Sequence, residues 1–391
     1  MNTSLDWFLT FVGSEGAILD AGCGAGDDTE VIAGRGFEAI GIDTDPEKLE
    51  RSRARVPRCI FRQMDARFLT YPTASFDGVW TGTLFEQIPA ADALQAIEGF
   101  ARVLKQDAPL YFSVKNTAEF AQPKARVLNL SEVSRLKDYG FRIVSQRDIP
   151  PVDHEARTEI AAVRMEQPTA EADEQWQENC FLCPDIRFSL NRQVGLPGSG
   201  ALLWGNHDLF VMPDIAPIVE GHLLLVTTKH YMCYGGTPAK VNPAISAAQQ
   251  FVRKLFASVY QMPAIFMEHG PAQPKRAGVC IEHAHWHCVP ATLPINEVVK
   301  KHLGSGREAS LETLQRMYQA GQSYIYVEEE AGRGQVYVAD VLPSQFLRQL
   351  TVSLLARRDW EWQTGFKKPE TQELFRSTLM RLIPAIDRDR T

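Results

Sequence analysis

Residues 17–115 constrain the fold most, because short apolar runs and helical stretches take turns along them. AILDA (17–21) reads as a strand entering a tight, glycine-rich loop. DDTEVIAGRG follows as a helix whose start Asp27, Asp28 or Thr29 can cap. FEAIGID (37–43) is a second strand, and PEKLERSRARV a helix opened by Pro46. RCIFRQMD, SFDGVWTG and PLYFSVK are the third, fourth and fifth strands. ALQAIEGFARVLK is the helix between the last two, and FRIVSQ (141–146) is a sixth strand. Alternation of this kind predicts an α/β domain: a mostly parallel sheet with helices on both faces.

The loop after the first strand reads Asp20-Ala-Gly22-Cys-Gly24-Ala-Gly26. Glycines permit positive φ and let a ligand approach the backbone. Their G-x-G-x-G spacing matches neither G-x-G-x-x-G nor a phosphate loop ending in Lys-Ser/Thr. Asp43 closes the second strand about twenty residues on, where a carboxylate can accept both hydroxyls of a ribose. Asp65 closes the third, where it could meet an adenine amino group.

Together ILDAGCGAG, GID, MDA and FDGVW resemble the class I S-adenosylmethionine-dependent methyltransferases, a Rossmann-like family, over roughly residues 15–165. The resemblance implies S-adenosylmethionine as cofactor. It implies that Asp20, Gly22, Gly24 and Gly26 wrap its methionine part, that Asp43 takes the ribose, and that Asp65 with Ala66 flanks the adenine. An ordinary Rossmann turn with acidic strand ends is the plainer reading. Glu86, in TLFEQIP, sits where this family often faces its acceptor; a solvated loop carboxylate is the alternative. Methyl transfer can rest on alignment, with a base needed only when the acceptor must lose a proton. The segment 116–130 or the second domain is expected to close the acceptor pocket.

A chain of 391 residues is expected to form two or three domains. Residues 166–179, EQPTAEADEQWQEN, are polar, acidic and nearly free of aliphatic side chains, which is a linker composition. Of the nine histidines only His154 precedes this stretch. The expected division is a first domain at 1–168, a linker at 169–177, a second domain at 178–330 and an extension at 331–391 packed on the second domain.

HAHWHCVP (283–290) sets three histidines at i, i+2 and i+4. On a strand that spacing puts all three on one face; on a helix it scatters them. CFLCP opens this domain, and ALLWGNHDLFVMPD, GHLLLVTTKHY and AIFMEHGP read as strands about the helix AISAAQQFVRKLFASVY. This predicts an α+β domain with an antiparallel sheet. VMPDIAPIVEGHLLLVTTKHY, MEHG and HAHWHCVP together resemble the histidine-triad (HIT) nucleotide hydrolases and transferases over about residues 178–300.

That resemblance makes His285 the nucleophile, forming a nucleotidyl-histidine. It makes His287 and His222 the phosphate donors, with His269 a further candidate, and Asp214 the residue that holds ribose hydroxyls. It implies a zinc site of Cys180, Cys183, His230 and His283, a nucleotide-containing small molecule as substrate, and a homodimer through this domain. Two departures leave the leaving group open: Cys280 stands where a hydroxyl is usual, and Glu268-His269-Gly270 replaces an amide-containing turn.

The formal charge of −7 and pI near 5.8 argue against a broad nucleic-acid surface. The start MNTSLDWFLTFVG has Asp6 within its apolar run and does not read as a signal peptide. No run is long enough to span a membrane. Seven scattered cysteines fit reduced thiols in the cytoplasm. In the tail, YIYVEEEAGRGQVYVAD reads as two strands and PSQFLRQLTVSLL as a helix with Ser344 near its cap. A last helix starts at Pro369, with Trp360 and Trp362 covering a flank. The whole predicts a bifunctional enzyme, a methyltransferase fused to a HIT hydrolase or transferase. The alternative is a HIT hydrolase regulated by a non-catalytic S-adenosylmethionine-binding domain.

Overall fold

The computed structural model describes residues 3–115, 128, 133–152, 155–165, 177, 180–184, 186–273, 281–339, 342–343, 345–356 and 362–388. Apart from Leu128 and Gln177, the expected pocket-closing segment 116–130 and the linker 166–179 lie outside them, as do His154, Cys280, Ser344 and Trp360. The chain divides into two compact units, Met1–Ala172 with Gly198–Gly200, and Asp173–Pro197 with Ala201–Thr391.

The first unit is built on a seven-stranded sheet. Its strands are β1 (Ala17–Ala21), β2 (Glu38–Asp43), β3 (Ile60–Gln63), β4 (Gly78–Trp80), β5 (Pro109–Lys115), β6 (Phe141–Val152) and β7 (Glu155–Arg164), in the order β3-β2-β1-β4-β5-β7-β6. The first five pair in parallel, β1 with both β2 and β4. Chain order therefore reverses at β1, the place where open α/β sheets leave a crevice beyond their strand ends. Every residue of β1 is buried, so its apolar run is a central strand.

The sheet ends in an antiparallel pair, where alternation predicts one sixth strand. β6 runs on to Val152, and β7 inserts between it and β5. β7 escapes a reading by hydrophobic pattern because it carries Arg157 and Glu159. Glu159 is fully buried, where it accepts from Tyr111 Oη at 2.8 Å and pairs with Arg147. Tyr111 in turn stacks on Trp80, with centroids 3.9 Å apart.

The second unit holds an eight-stranded antiparallel sheet. Its strands are β8 (Trp204–Gly205), β9 (Leu209–Pro213), β10 (Leu223–Thr227), β11 (Ala264–Gly270), β12 (His285–Pro290), β13 (Arg307–Ala309), β14 (Tyr324–Glu328) and β15 (Gly334–Val338), in the order β13-β15-β14-β11-β12-β10-β9-β8. One core joins Ile265, Met267, Val289, Ile325 and Val327 to Ile295 and Val299 of the helix Ile295–Leu303 and to Leu347 and Leu350 of the helix Phe346–Leu354. The helix Asn242–Val259 buries a separate stripe that includes Ile245, Val252 and Phe256.

Two expectations are corrected here. A division at residue 331 cuts the sheet, because β15 pairs with both β14 and β13. The histidine strand begins at His285, so His283 precedes it. Among the described residues, no helix is long and apolar enough to cross a membrane.

Candidate functional sites

In the first unit the loop after β1 turns back under the end of β2. The N–H groups of Gly22 and Cys23 donate to the Ile42 carbonyl at 2.8 and 3.0 Å. Gly24 N–H donates to Asp43 Oδ2 and Asp45 N–H to Asp43 Oδ1, both at 2.9 Å. Gly22, Gly24 and Gly26 have φ of 80°, 54° and 82°, values that penalise any side chain. A Cβ on Gly24 would meet nothing within 4 Å, whereas one on Gly26 would press on Phe61 and Ser52 at 3.0–3.2 Å. One glycine therefore borders open space and the other is a packing requirement. Asp20 is buried beneath the loop, bonded to the Thr29 hydroxyl. Burial pushes its carboxyl up to about 7, with Asp28 and Asp43 adding repulsion and the Thr29 bond opposing.

Asp65 lies two residues beyond β3, gripped by Arg67 through Nε and Nη2. Those bonds hold its carboxyl below the usual range. Arg67 also reaches Asp92 at 3.0 Å, a partner that no spacing in the sequence announces. Ala66 beside it is buried. Glu86 accepts from the Ser113 hydroxyl at 2.6 Å and pairs with Arg157 at 3.2 Å. It is a tied, largely buried carboxylate, which corrects the alternative of a solvated loop residue.

In the second unit, Cys180, Cys183, His230 and His283 bring one ligand atom each within 4.8 Å of one another. A turn in which Cys183 N–H donates to Cys180 O at 3.1 Å pairs the two thiols. Thr227 N–H donates to Ala284 O, and Ala284 N–H to Tyr231 O. The backbone between residues 227 and 231 thus folds around residue 284 and brings His230 to His283. His283 Nε2 donates to the Thr227 carbonyl at 2.7 Å, which leaves its Nδ1 lone pair toward Cys180 Sγ at 3.3 Å and Cys183 Sγ at 3.7 Å. His230 Nδ1 lies 3.5 Å from Cys183 Sγ. Tetrahedral zinc with bonds of ~2.3 Å to sulfur and ~2.1 Å to nitrogen sets its S···N edges near 3.6 Å. The four donors fit that ion.

The remaining histidines divide by tautomer. His285 Nδ1 lies 2.6 Å from the His283 carbonyl and so carries the proton, leaving Nε2 as the basic atom. Burial pulls this ring down to about 3, so it is neutral near pH 7. His222 Nδ1 accepts from Ile218 N–H at 3.1 Å, so its proton sits on Nε2. That proton points to His287 Nδ1 at 3.1 Å, and His287 must then carry its own on Nε2. His269 is two residues beyond Met267 on β11, hence on the same sheet face. Met267 is in register with His287. His269 Nε2 is buried without a hydrogen-bond partner among the described residues.

Asp214, expected against a ribose, is 2 % exposed. Its Oδ1 accepts from Ala216 N–H at 2.8 Å and from Arg348 Nη2 at 3.3 Å. Its Oδ2 lies 3.5 Å from His287 Nδ1 and 3.7 Å from His222 Nε2. Oδ1 is therefore hydrogen-bonded within the unit, and Oδ2 faces the two rings. Asp214, His222 and His287 are also close enough to share a cation. Of the three, His222 and His287 are hydrogen-bonded to each other, and the Arg348 guanidinium sits against the Asp214 carboxylate. Arg348 is the residue missed: one arginine in an otherwise apolar helical stripe signals nothing about what it reaches. Glu268 faces away from these groups, accepting from Tyr234 N–H, Tyr324 Oη and Trp286 Nε1.

Residues 18–107 match the family model of a methyltransferase domain, so the N-terminal region carries such a domain. An uncharacterised methyltransferase of Synechocystis is 33 % identical over 88 residues, 22 % of this chain and 42 % of its own length. A trans-aconitate 2-methyltransferase of Methylobacterium radiotolerans is 40 % identical over 73 residues, 18 % of this chain and 28 % of its own. A probable S-adenosylmethionine-dependent methyltransferase of Mycolicibacterium smegmatis is 28 % identical over 177 residues, 41 % of this chain and 67 % of its own. The chain thus spans less than half the length of the first two. Among solved structures, the PH0226 protein of Pyrococcus horikoshii aligns with a TM-score of 0.37 at 16 % identity, over 41 % of this chain and 88 % of its own.

Proposed function

We propose that the chain is a bifunctional enzyme, with S-adenosylmethionine-dependent methyl transfer in the first unit and histidine-triad phosphoryl chemistry in the second. The match over residues 18–107 carries the first half. The fit of the loop supports it, since Asp43 braces a glycine turn that borders open space at Gly24. When bound, the cofactor supplies an electrophilic methyl group. The chain's own residues bind and align: Asp43 receives the ribose hydroxyls, Asp20 and the glycines hold the methionine part, and Asp65 with Ala66 borders the adenine. Glu86, held by Ser113 and Arg157, is the carboxylate assigned to the acceptor side. Calorimetric titration with S-adenosylmethionine and S-adenosylhomocysteine tests binding. Absence of binding would sink this half, and binding without transfer to any acceptor would leave the unit a cofactor sensor.

The second half is carried by the tautomer of His285. Its Nδ1–H donates a hydrogen bond to the His283 carbonyl, which leaves Nε2 free for attack. In this reading Nε2 bonds to the phosphorus of a nucleotide ester or anhydride, the leaving group departs with its electron pair, and water or another acceptor resolves the phosphoramidate. His287 donates from Nε2 to a phosphate oxygen as charge builds there, with His222 behind it. His269 is a further donor to the phosphate. Asp214, enclosed beneath the pair, orients it. Zinc, held by Cys180, Cys183, His230 and His283, would supply a closed structural tie at the strand that carries His285. A nucleotide-containing small molecule as substrate, a homodimer through this unit and a cytoplasmic setting belong to the same reading. Rapid quench with a labelled adenylated amine, followed by mass mapping, tests it. An adduct on His285, absent in His285→Asn, is expected; an adduct elsewhere, or full turnover by that variant, overturns it.

A further inference from the structure

Arg348 sits in the helix Phe346–Leu354, between Leu347 and Leu350 of the core, and is itself only 7 % exposed. Thr351, less than a turn further on, touches Met267 at 3.6 Å, and Met267 is in register with His287. The helix therefore lies over the histidine face of the sheet. Arg348 Nη2 donates to the Ala216 carbonyl at 2.6 Å and to Asp214 Oδ1 at 3.3 Å. The second oxygen of Asp214 is left facing His287 and His222. Packing alone would be served by a leucine or methionine, and a buried guanidinium costs desolvation that only a partner offsets.

We infer that Arg348 is a positioning residue: it fixes and neutralises Asp214, and so keeps the His222–His287 chain in the arrangement that presents the His287 Nε2 proton. The reason is charge balance. An uncompensated Asp214 carboxylate would favour a second proton on His287, at Nδ1, pointing at the carboxylate. His287 Nδ1 could then no longer accept from His222, and the chain would break. The groups around His287 are Asp214, His222, Arg348, its strand neighbour His285 and His269 on the adjacent strand. Burial lowers the ring's proton affinity most, Asp214 opposes it, and Arg348 lowers the affinity further. This inference rests on the phosphoryl-transfer reading for its catalytic consequence, though not for the protonation state itself.

The test uses the full chain and two readouts. Nitrogen-15 NMR of the resting protein should find His287 Nδ1 unprotonated at pH 7 in the wild type. In Arg348→Met its protonation midpoint should rise by about one unit or more. Rapid quench with the adenylated amine should then find adduct formation slowed on the order of 10–100-fold, in kcat more than KM. The acid limb of the pH profile should move to higher pH. Arg348→Lys should restore the ring's titration, because it keeps the charge. The double variant Arg348→Met/Asp214→Asn should also return His287 to neutral. Unchanged ring nitrogens in Arg348→Met, or a Lys variant as impaired as the Met variant, would overturn the inference. If Arg348→Met does not fold, the Lys and double variants carry the same comparison. If the wild type forms no adduct, the phosphoryl reading fails while the nitrogen data still decide the role of Arg348.

Discussion

At Asp43 both carboxylate oxygens already accept a backbone N–H, one from Gly24 and one from Asp45, so the side chain shapes the loop before any ligand arrives. Each oxygen keeps lone-pair capacity for a ribose hydroxyl. Asp43→Ala should therefore cost on two counts: ligand bonds of roughly 1.5–3 kcal/mol each at most, and a looser loop. Titration calorimetry should find S-adenosylmethionine affinity lowered by at least about tenfold; unchanged affinity would remove Asp43 from the site. Asp20 makes a pH prediction. Burial raises its carboxyl to about 7, so much of it is protonated at pH 6. A ligand bearing a sulfonium and an ammonium favours the ionised form, so binding at pH 6 should release a proton. Affinity should then fall as pH drops below 7, by up to about tenfold per unit. Calorimetry at pH 6 in two buffers of different ionisation enthalpy measures the release, and no buffer dependence would detach Asp20 from the charged end of the ligand.

At the scale of elements, the zinc prediction depends on a turn and an irregular strand end acting together. The Cys180–Cys183 turn and the fold of residues 227–231 around Ala284 meet at His283, two residues before β12. Without a cation, the neighbouring thiol and burial push Cys183 up, so two adjacent thiolates are disfavoured; a bound zinc would reverse that balance. Elemental analysis should find about one zinc per chain. Cys183→Ser should lose the metal and release His283, loosening the entry to β12 and slowing adduct formation at His285. A Ser variant with full zinc content would count against the site. The strands that the sequence makes legible are those whose apolar runs are central, as in β1, β5 and β10. β7 stays hidden because its charges are buried in pairs rather than solvated. β15 is separable on paper because a glycine turn precedes it, yet it is an inner strand. The Cys180-x-x-Cys183 pair is visible from spacing, and His230 and His283 join it only through the family resemblance, whereas Arg348 is visible only once the tail helix is laid on the sheet.

For the whole molecule, the proposal assigns two different ligands to two units with separate cores. Buried Phe8, Ile18 and Trp80 belong to one core, and Ile265, Val289 and Ile325 to the other. A ligand that binds only the folded form stabilises the unit that holds it, by about 2.7 kcal/mol at a hundred times its dissociation constant. Structural zinc contributes through the same linkage, and its removal destabilises the unit it ties. Scanning calorimetry of the full chain therefore has a specific expected pattern. S-adenosylhomocysteine should raise the transition that Asp43→Ala makes insensitive to it. A zinc chelator should lower the transition that Cys183→Ser lowers. The two responses should persist when both agents are present, each acting through its own residues. A chelator that abolishes the response to S-adenosylhomocysteine would contradict the assignment of the ligands to separate units. So would a protein whose melting neither agent moves.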